Sequence, residues 1–511
     1  MNLPNQQKVS VCCSATWPLI GLVSGVLCVY LLTTQQGVSW QDSGTFQYRI
    51  LVHDYFGFFG VALAHPTYIA STELFVSLFP KTYCFYAMNL FSGLGMALAL
   101  LLLTRIFALL QFKTSTALIA VLTLGLSHMA WWMSTIAEVY TWSLAFLMAE
   151  LICLLNICHP KADNATSPVT AWATLALING FHASLHNFAF LNLPVYALLF
   201  VYLHFNKSFR KRAVILIVSA CSWLIGACLL LTVFQIEWGT TQSFVATVKS
   251  LLFGHEFEDV VVGTRAINWP LAKMNLALAS ISLLNPTWLF VCFAGRTYTK
   301  YIAFKISLLG LTAIHVVFWA RYFVPDQATF ILPSLALLAV WVGIGLDSLT
   351  LQRKHLIALC AVIILSSIAT PLLIHHFLQV AQGGVKRMRE LPFRNESSYW
   401  LFPWKHNEQS AARFVKHVCA ILKAGDVLIA DSTAAGPIMA AQAAGLLAST
   451  VRIIAFSTGE TDEELVQLIK TKERVYIVSP VAGYTSNALL TGQFTFEKED
   501  VLYRIRSARH D

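Results

Sequence analysis

Apolar blocks parted by short polar turns fill the first 380 positions of this chain, and the blocks have the length that a bilayer's hydrocarbon core demands of a helix. Cutting at the polar turns predicts eleven spanning helices near 16–35, 84–108, 115–133, 139–158, 169–181, 186–205, 213–235, 273–294, 301–320, 327–346 and 356–378. The 169–181 block is short, so its hairpin with the next block reads as broken. Tyr68 to Phe79 is apolar but too short to cross and holds Glu73, which suits a helix lying in one leaflet. After Gln379 the pattern changes. Short β-branched runs at Val427 to Ala430, Val451 to Ala455 and Val475 to Val478 alternate with helical stretches at Ala434 to Leu447 and Asp462 to Lys470. That alternation predicts a soluble α/β domain with a mostly parallel sheet. The expected architecture is an all-α polytopic membrane domain over 1–380 followed by an external α/β domain over 381–511.

Composition agrees with the pattern and removes other classes. Apolar residues make up 57% of the 511 positions and charged residues 12%, which no soluble enzyme of this length tolerates. The net charge of +9 forms no aromatic-interleaved basic patch, so nucleic acid is excluded as a partner. Lys and Arg instead report topology: with the N-terminus cytoplasmic, thirteen of those before residue 380 fall in cytoplasmic turns and six in external loops. This places the loops 36–83 and 236–272, the turns at Ser134–Glu138, His182 and Arg321–Asp326, and the whole C-terminus outside. Met1 to Thr16 lacks a cleavage site before Trp40, so the first block is expected to remain as a span. The eleven Cys show no CxxC and no metal-ligand spacing, and read as small buried hydrophobes.

Ionisable residues near lipid are costly and need a reason. Asp42, His65, Glu138, His182, His186, Arg321 and Asp326 come from separate external segments and map to one face of the membrane, as the walls of an active site or a transport vestibule do. Five of these have a plainer reading: Asp42 as a helix cap, Glu138 as a solvated turn residue, His182 and His186 as satisfied interface residues, Arg321 as a snorkelling headgroup contact. His182 and His186 would share a face of a continuous helix. A metal is not expected, since no third ligand stands at a metal spacing and the chain lacks a DxD. Asp431-Ser432-Thr433, between a strand and a helix, reads as a cap.

The series Trp40-Gln41-Asp42-Ser43-Gly44, His65-Pro66, Asn89-Leu90-Phe91-Ser92, Trp131-Trp132 with Glu138-Val139-Tyr140, Gly180 with His186, and Val324-Pro325-Asp326 with Leu332-Pro333 resembles a family of membrane proteins. That family includes the animal O-mannosyltransferase acting on plexin-type domains and is similar to the glycosyltransferase-C superfamily. The chain continues His65-Pro66 as Thr67-Tyr68-Ile69 where family members have Pro-Gly-Tyr-Pro, and carries Leu185 before His186 where they have Asn. The resemblance implies a glycosyltransferase-C fold with an essential acid, Asp42, in the first external loop, Glu138 in the second, and His186 in the broken hairpin.

Nucleotide sugars are cytoplasmic, so external transfer calls for a polyprenyl-phosphate sugar donor, with mannose suggested by the resemblance. The acceptor hydroxyl belongs to a protein, a lipid or a polysaccharide. Transfer needs a base and charge at the departing phosphate: Asp42 is the expected base, Arg321 the phosphate partner, His65, His186 and His182 donor or phosphate contacts, and Glu138 a sugar or acceptor contact. The competing readings are a transporter or lipid-carrier translocase, and a catalytically inactive relative.

Overall fold

The computed structural model describes residues 16–507 apart from 160–166, 256–257, 259–266, 268, 298–300, 325, 382–389, 456–460 and 473. Pro325 of the Val-Pro-Asp motif therefore lies outside the described residues.

The helices run α1 (Thr16–Thr33), α2 (Gln41–Leu51), α3 (Pro66–Val76), α4 (Cys84–Leu109), α5 (Thr114–Gly125), α6 (His128–Met133), α7 (Tyr140–Cys158), α8 (Pro168–Leu185), α9 (Phe188–His204), α10 (Phe209–Gly226), α11 (Cys228–Thr241), α12 (Phe244–Phe253), α13 (Trp269–Ile281), α14 (Ile302–Arg321), α15 (Leu332–Asp347) and α16 (Arg353–Val380). A helix stands at each apolar block, but among the described residues length and composition qualify five to cross a membrane, or up to seven when two bent pairs each count as one span. The expected count of eleven is therefore not established. The differences are local. The 213–235 block bends by 75° between α10 and α11, and the 273–294 block breaks by 85° after Ile281. The 115–133 block is two helices, because Ser127 interrupts the ladder before α6. Many apolar side chains of α9, α10 and α16 face outward, among them Leu198 (72% exposed), Ile217 (62%) and Leu365 (65%), as lipid-facing surfaces require. The nine described cysteines are all unpaired.

The leaflet helix expected at Tyr68–Phe79 is α3. Tyr68, Ile69 and Thr72 are buried while Leu74 and Leu78 project outward.

Beyond α16 come α17 (Glu396–Leu401), α18 (Ser410–Ile421), α19 (Ser432–Ala443) and α20 (Asp462–Thr471), with strands β1 (Val427–Ala430), β2 (Arg452–Ala455), β3 (Val475–Ile477), β4 (Phe494–Glu499) and β5 (Leu502–Ser507). The sheet order is β2-β1-β3-β5-β4, in which β1 pairs in parallel with β2 and β3, while β5 is antiparallel to β3 and β4. The three parallel strands match the sequence expectation to within a residue or two; the terminal hairpin was not foreseen. All residues of β1 and β3 are buried, and the core that each side chain joins alternates with period two. Val427, Ile429, Val475 and Ile477 pack against Leu465 and Ile469 of α20, whereas Leu428, Ala430 and Tyr476 join, through α19, the same core that runs through the helical bundle. The α/β unit thus shares its core with the membrane unit.

Candidate functional site

Asp42 is the second residue of α2, just past Trp40, which caps the helix with extended backbone. Gln41 between them takes a left-handed conformation (φ 57°), and so does His65 (φ 49°). For residues other than glycine this costs about 1–3 kcal/mol each, a strain that collects where geometry is functional. Asp42 is exposed to solvent although protein surrounds its carboxyl closely, which describes a side chain standing in a recess. Its desolvated surroundings hold the carboxyl above the usual carboxylate range.

Glu138 lies at the recess wall and is 7% exposed. Ser43, next to Asp42, donates its hydroxyl to Glu138 Oε1 at 2.7 Å, so α2 and the second loop meet directly. Ser92 of α4 fixes the Glu138 backbone from both sides, accepting from its N–H at 2.8 Å and donating to its carbonyl at 2.9 Å. Burial first, then the charges of Asp42 and Asp326, push the Glu138 carboxyl well up, while the Ser43 hydrogen bond opposes the shift. The three carboxyls are thus within electrostatic reach of one another. Tyr140 feels all three, and Tyr322 feels Asp326 and Asp42.

An aromatic wall adjoins the acids. Tyr140 and Tyr322 each meet the Phe330 ring edge-on, at 5.6 and 4.9 Å. Tyr140 also lies 5.4 Å from His186, whose ring stacks on His65 at 5.0 Å. The two imidazoles are complementary. His65 Nδ1 lies 2.9 Å from the Leu185 carbonyl, which only accepts, so Nδ1 carries the proton and Nε2 offers a lone pair. Burial, then the Arg49 charge, lowers its pKa to about 3, against the opposing Leu185 contact, and keeps the ring neutral. In His186, Nδ1 accepts the Phe188 N–H at 3.1 Å, which leaves the proton on Nε2.

The loop that presents His65 is held by Arg49, which is 3% exposed. Its guanidinium donates to the carbonyls of Asp54 (3.2 Å), Leu63 (3.2 Å) and Ala64 (2.5 Å) and lies 3.6 Å from the Asp54 carboxylate. A Cβ on Gly57 (φ 78°) would stand 2.8 Å from the guanidinium carbon, so the loop needs glycine there.

His182 and His186 do not share a helical face. The helix ends at Leu185, and His186 is extended (φ −156°, ψ 138°) because the hairpin breaks there. His182 turns into the bundle instead, its Nδ1 2.8 Å from Glu150 and its Nε2 2.7 Å from the Ser143 hydroxyl. Glu150, fully buried in α7, also accepts from Asn179 (3.1 Å), Asn192 (2.7 Å) and the Tyr196 hydroxyl, and Asn192 contacts His315 at 2.9 Å. Both carboxylate oxygens are thereby filled with donors from α8 and α9, so this network fixes the two arms of the hairpin that ends in His186. Sequence reasoning passed over Glu150, although an acid within an apolar span is itself a signal. Arg321 sits at the end of α14, exposed, with its guanidinium 5.9 Å from the Phe323 ring centre. Its neighbours Tyr322 and Asp326 lie within electrostatic reach of the acids. Asp431 caps α19, accepting the Thr433 N–H at 3.0 Å.

The segment after α16 packs against the Trp131-Trp132 helix through Lys405, Tyr399 and Trp400. Lys405, 1% exposed, donates to the Tyr399 carbonyl and lies over the Trp132 and Tyr399 rings at 4.7 and 4.6 Å; burial above all lowers its pKa to about 7. Arg394 makes a forked pair with Glu396 at 2.7 and 2.9 Å. Among the described residues, no three His, Cys, Asp or Glu side chains converge at metal-ligating distance.

No family model matches the chain, and no curated protein is significantly similar to it in sequence. Solved structures do match in fold. ArnT from Cupriavidus metallidurans, bound to undecaprenyl phosphate, superposes with a TM-score of 0.58 at 11% identity over 96% of this chain and 98% of its own. The Archaeoglobus fulgidus oligosaccharyltransferase gives 0.53 at 12% identity, covering 93% of this chain and 70% of that one. The mycobacterial arabinofuranosyltransferase AftD gives 0.52 at 11%, with 97% of this chain spanning 40% of its length. The likeness to the plexin-domain O-mannosyltransferase family rests on the sequence motifs alone. What the helical bundle, its broken spans and these neighbours establish is that the chain has the glycosyltransferase-C fold.

Proposed function

We propose that this protein is an integral-membrane glycosyltransferase that moves a sugar from a polyprenyl-phosphate carrier to an acceptor hydroxyl at the external face. The reading is carried by one observation: Asp42 stands solvent-accessible in a recess beside Glu138, on a fold shared with a protein that binds undecaprenyl phosphate. Asp42 takes the proton from the acceptor hydroxyl, whose oxygen bonds to the anomeric carbon as the bond from that carbon to the phosphate oxygen breaks. Glu138, deeper and with its carboxyl pushed up by burial and by the neighbouring Asp42 and Asp326 charges, is the sugar or acceptor contact beside that base.

The proton positions divide the histidines. His65 Nε2 accepts and suits a sugar hydroxyl; His186 Nε2–H donates and suits a phosphate oxygen. Tyr140, Tyr322 and Phe330 offer an apolar face for the pyranose ring. Arg321, exposed at the end of α14, is assigned as the partner of the leaving phosphate, with contact to lipid headgroups as the plainer role. His182 acts through the hairpin it holds. The N-terminus is assigned to the cytoplasm and the 381–511 unit to the external side, by the Lys and Arg distribution. Mannose as the sugar, and the protein, lipid or polysaccharide nature of the acceptor, are open to the same assay. Protein reconstituted in lipid nanodiscs is given radiolabelled polyprenyl-phosphate mannose and parallel sugar donors with an acceptor panel. Transfer by wild type and its loss in Asp42→Asn supports the reading. Uptake or flipping of the carrier without transfer would instead indicate a translocase.

A further inference from the structure

The helix that carries Asp42 is not packed on membrane helices alone. Its contact with α19 of the α/β unit is backbone to backbone: a Cβ added to Gly44 would lie 2.8 Å from the Pro437 nitrogen and 3.0 Å from the Gly436 carbonyl carbon. A Cβ on Gly436 would lie 2.8 Å from the Gln41 oxygen and 2.9 Å from the Thr45 nitrogen. Real Cβ atoms do not approach so closely, so only glycine lets the two helices touch at this depth. The contact brackets Asp42, since Gln41 precedes it and Gly44 and Thr45 follow it.

A second set of contacts grips the same segment from the other side. The Trp40 ring is 1% exposed, donates from Nε1 to the Ser410 hydroxyl at 2.7 Å and packs on Phe414 of α18 at 5.1 Å. A Cβ added to Gly37 would lie 3.5 Å from the Ala412 Cβ, an ordinary packing distance. The residues before and after Asp42 are therefore both clamped by helices of the α/β unit, and the left-handed Gln41 between them is a conformation that needs such over-determination.

We propose that the α/β unit is a working part of the reaction centre, with Gly436 of α19 a positioning residue that sets Asp42 against Glu138. The inference rests on the reading of Asp42 as the base. A carboxylate must be held to within about an ångström to act, and a 1 Å misplacement costs about a hundred-fold in rate. A substituent at Gly436 meets the backbone of Gln41, Gly44 and Thr45 and so pushes on the first turn of α2, which carries Asp42.

The test compares Gly436→Ala and Ser410→Ala with Gly239→Ala, a helical glycine that has nothing within 4 Å. Each is measured as the full chain in nanodiscs for transfer kinetics and for hydrogen exchange of α2. Gly436→Ala is expected to lower kcat by about ten-fold or more with donor KM within about two-fold, and to speed exchange of the α2 amides by a similar factor. Ser410→Ala, which adds no bulk, keeps the test usable if Gly436→Ala does not fold, and is expected to move both readouts in the same direction by less. Gly239→Ala should behave as wild type. Wild-type kcat and wild-type α2 exchange in both Gly436→Ala and Ser410→Ala would overturn the proposal. If wild type transfers no sugar, the transferase reading fails by itself, and the exchange comparison still decides whether the α/β unit braces α2.

Discussion

Replacing Arg49 by Met is expected to release the loop that presents His65. Arg49 is the common partner of three carbonyls and one carboxylate of the loop between residues 54 and 64, whose other ties are the Asp54 carboxylate accepting the Phe56 and Gly57 N–H groups, the Val61 N–H bonded to Ser250, and the His255 N–H bonded to the Phe59 carbonyl. Hydrogen bonds to a charged group contribute about 1.5–3 kcal/mol each, which would sum to roughly 5–9 kcal/mol for three. The Asp54 end is partly open to water and can be rehydrated, so the net loss is smaller, about 3–5 kcal/mol. Because the contacts close one loop, the loss appears first as local opening rather than global unfolding. A change of 3–5 kcal/mol corresponds to about 10²- to 10⁴-fold faster hydrogen exchange. The amides to watch are Asp54, bonded to the Arg49 carbonyl at 2.9 Å, Leu63 to Gly60 at 3.2 Å and Ala64 to Val61 at 3.3 Å. Transfer should fall with them, since His65 loses its stacking on His186. Arg49→Lys, with a point charge in place of a planar fork, should fall between. Exchange in Arg49→Met within about three-fold of wild type would refute the account, because the carbonyls would then be satisfied without the guanidinium.

Asp42→Asn should lower kcat by about 10²- to 10⁴-fold, the usual contribution of a general base. Since the Asp42 carboxyl titrates above its ordinary value, wild-type kcat should fall as pH drops through that raised pKa, and a pH–rate profile locates the limb. Glu150→Gln places an amide N–H₂ among four donors that need acceptors, so it should cost about 2–4 kcal/mol in thermal unfolding, and an unchanged Tm would show that the network is dispensable. Lys405 binds its proton less well in the fold than in the open chain. Its contribution to stability should therefore rise as pH increases from about 7 toward the free-lysine value, and unfolding scans of Lys405→Met should lack this slope.

The sequence was explicit wherever a local rule applied. Block length and the scarcity of charge marked a membrane protein, and short β-branched runs alternating with helical stretches located β1, β2 and β3. It also placed Asp42, Glu138 and Asp326 on one face, and the structure brings these three within electrostatic reach. Three things were legible only in part or not at all. Whether a block is one helix or two bent halves depends on packing against neighbours, so the break after Ile281 and the bend at Ala227 escaped a reading by length. Whether His182 and His186 point the same way depends on where the helix stops, and it stops between them. Finally, the glycines at 44 and 436 are nearly 400 positions apart, and nothing in the motif around Gly44 or in the sequence around Gly436 says that the two meet. Composition and periodicity are properties of neighbours in the chain and survive without the fold. Proximity across hundreds of residues, and with it the clamp on Asp42, exists only once burial has chosen which surfaces meet.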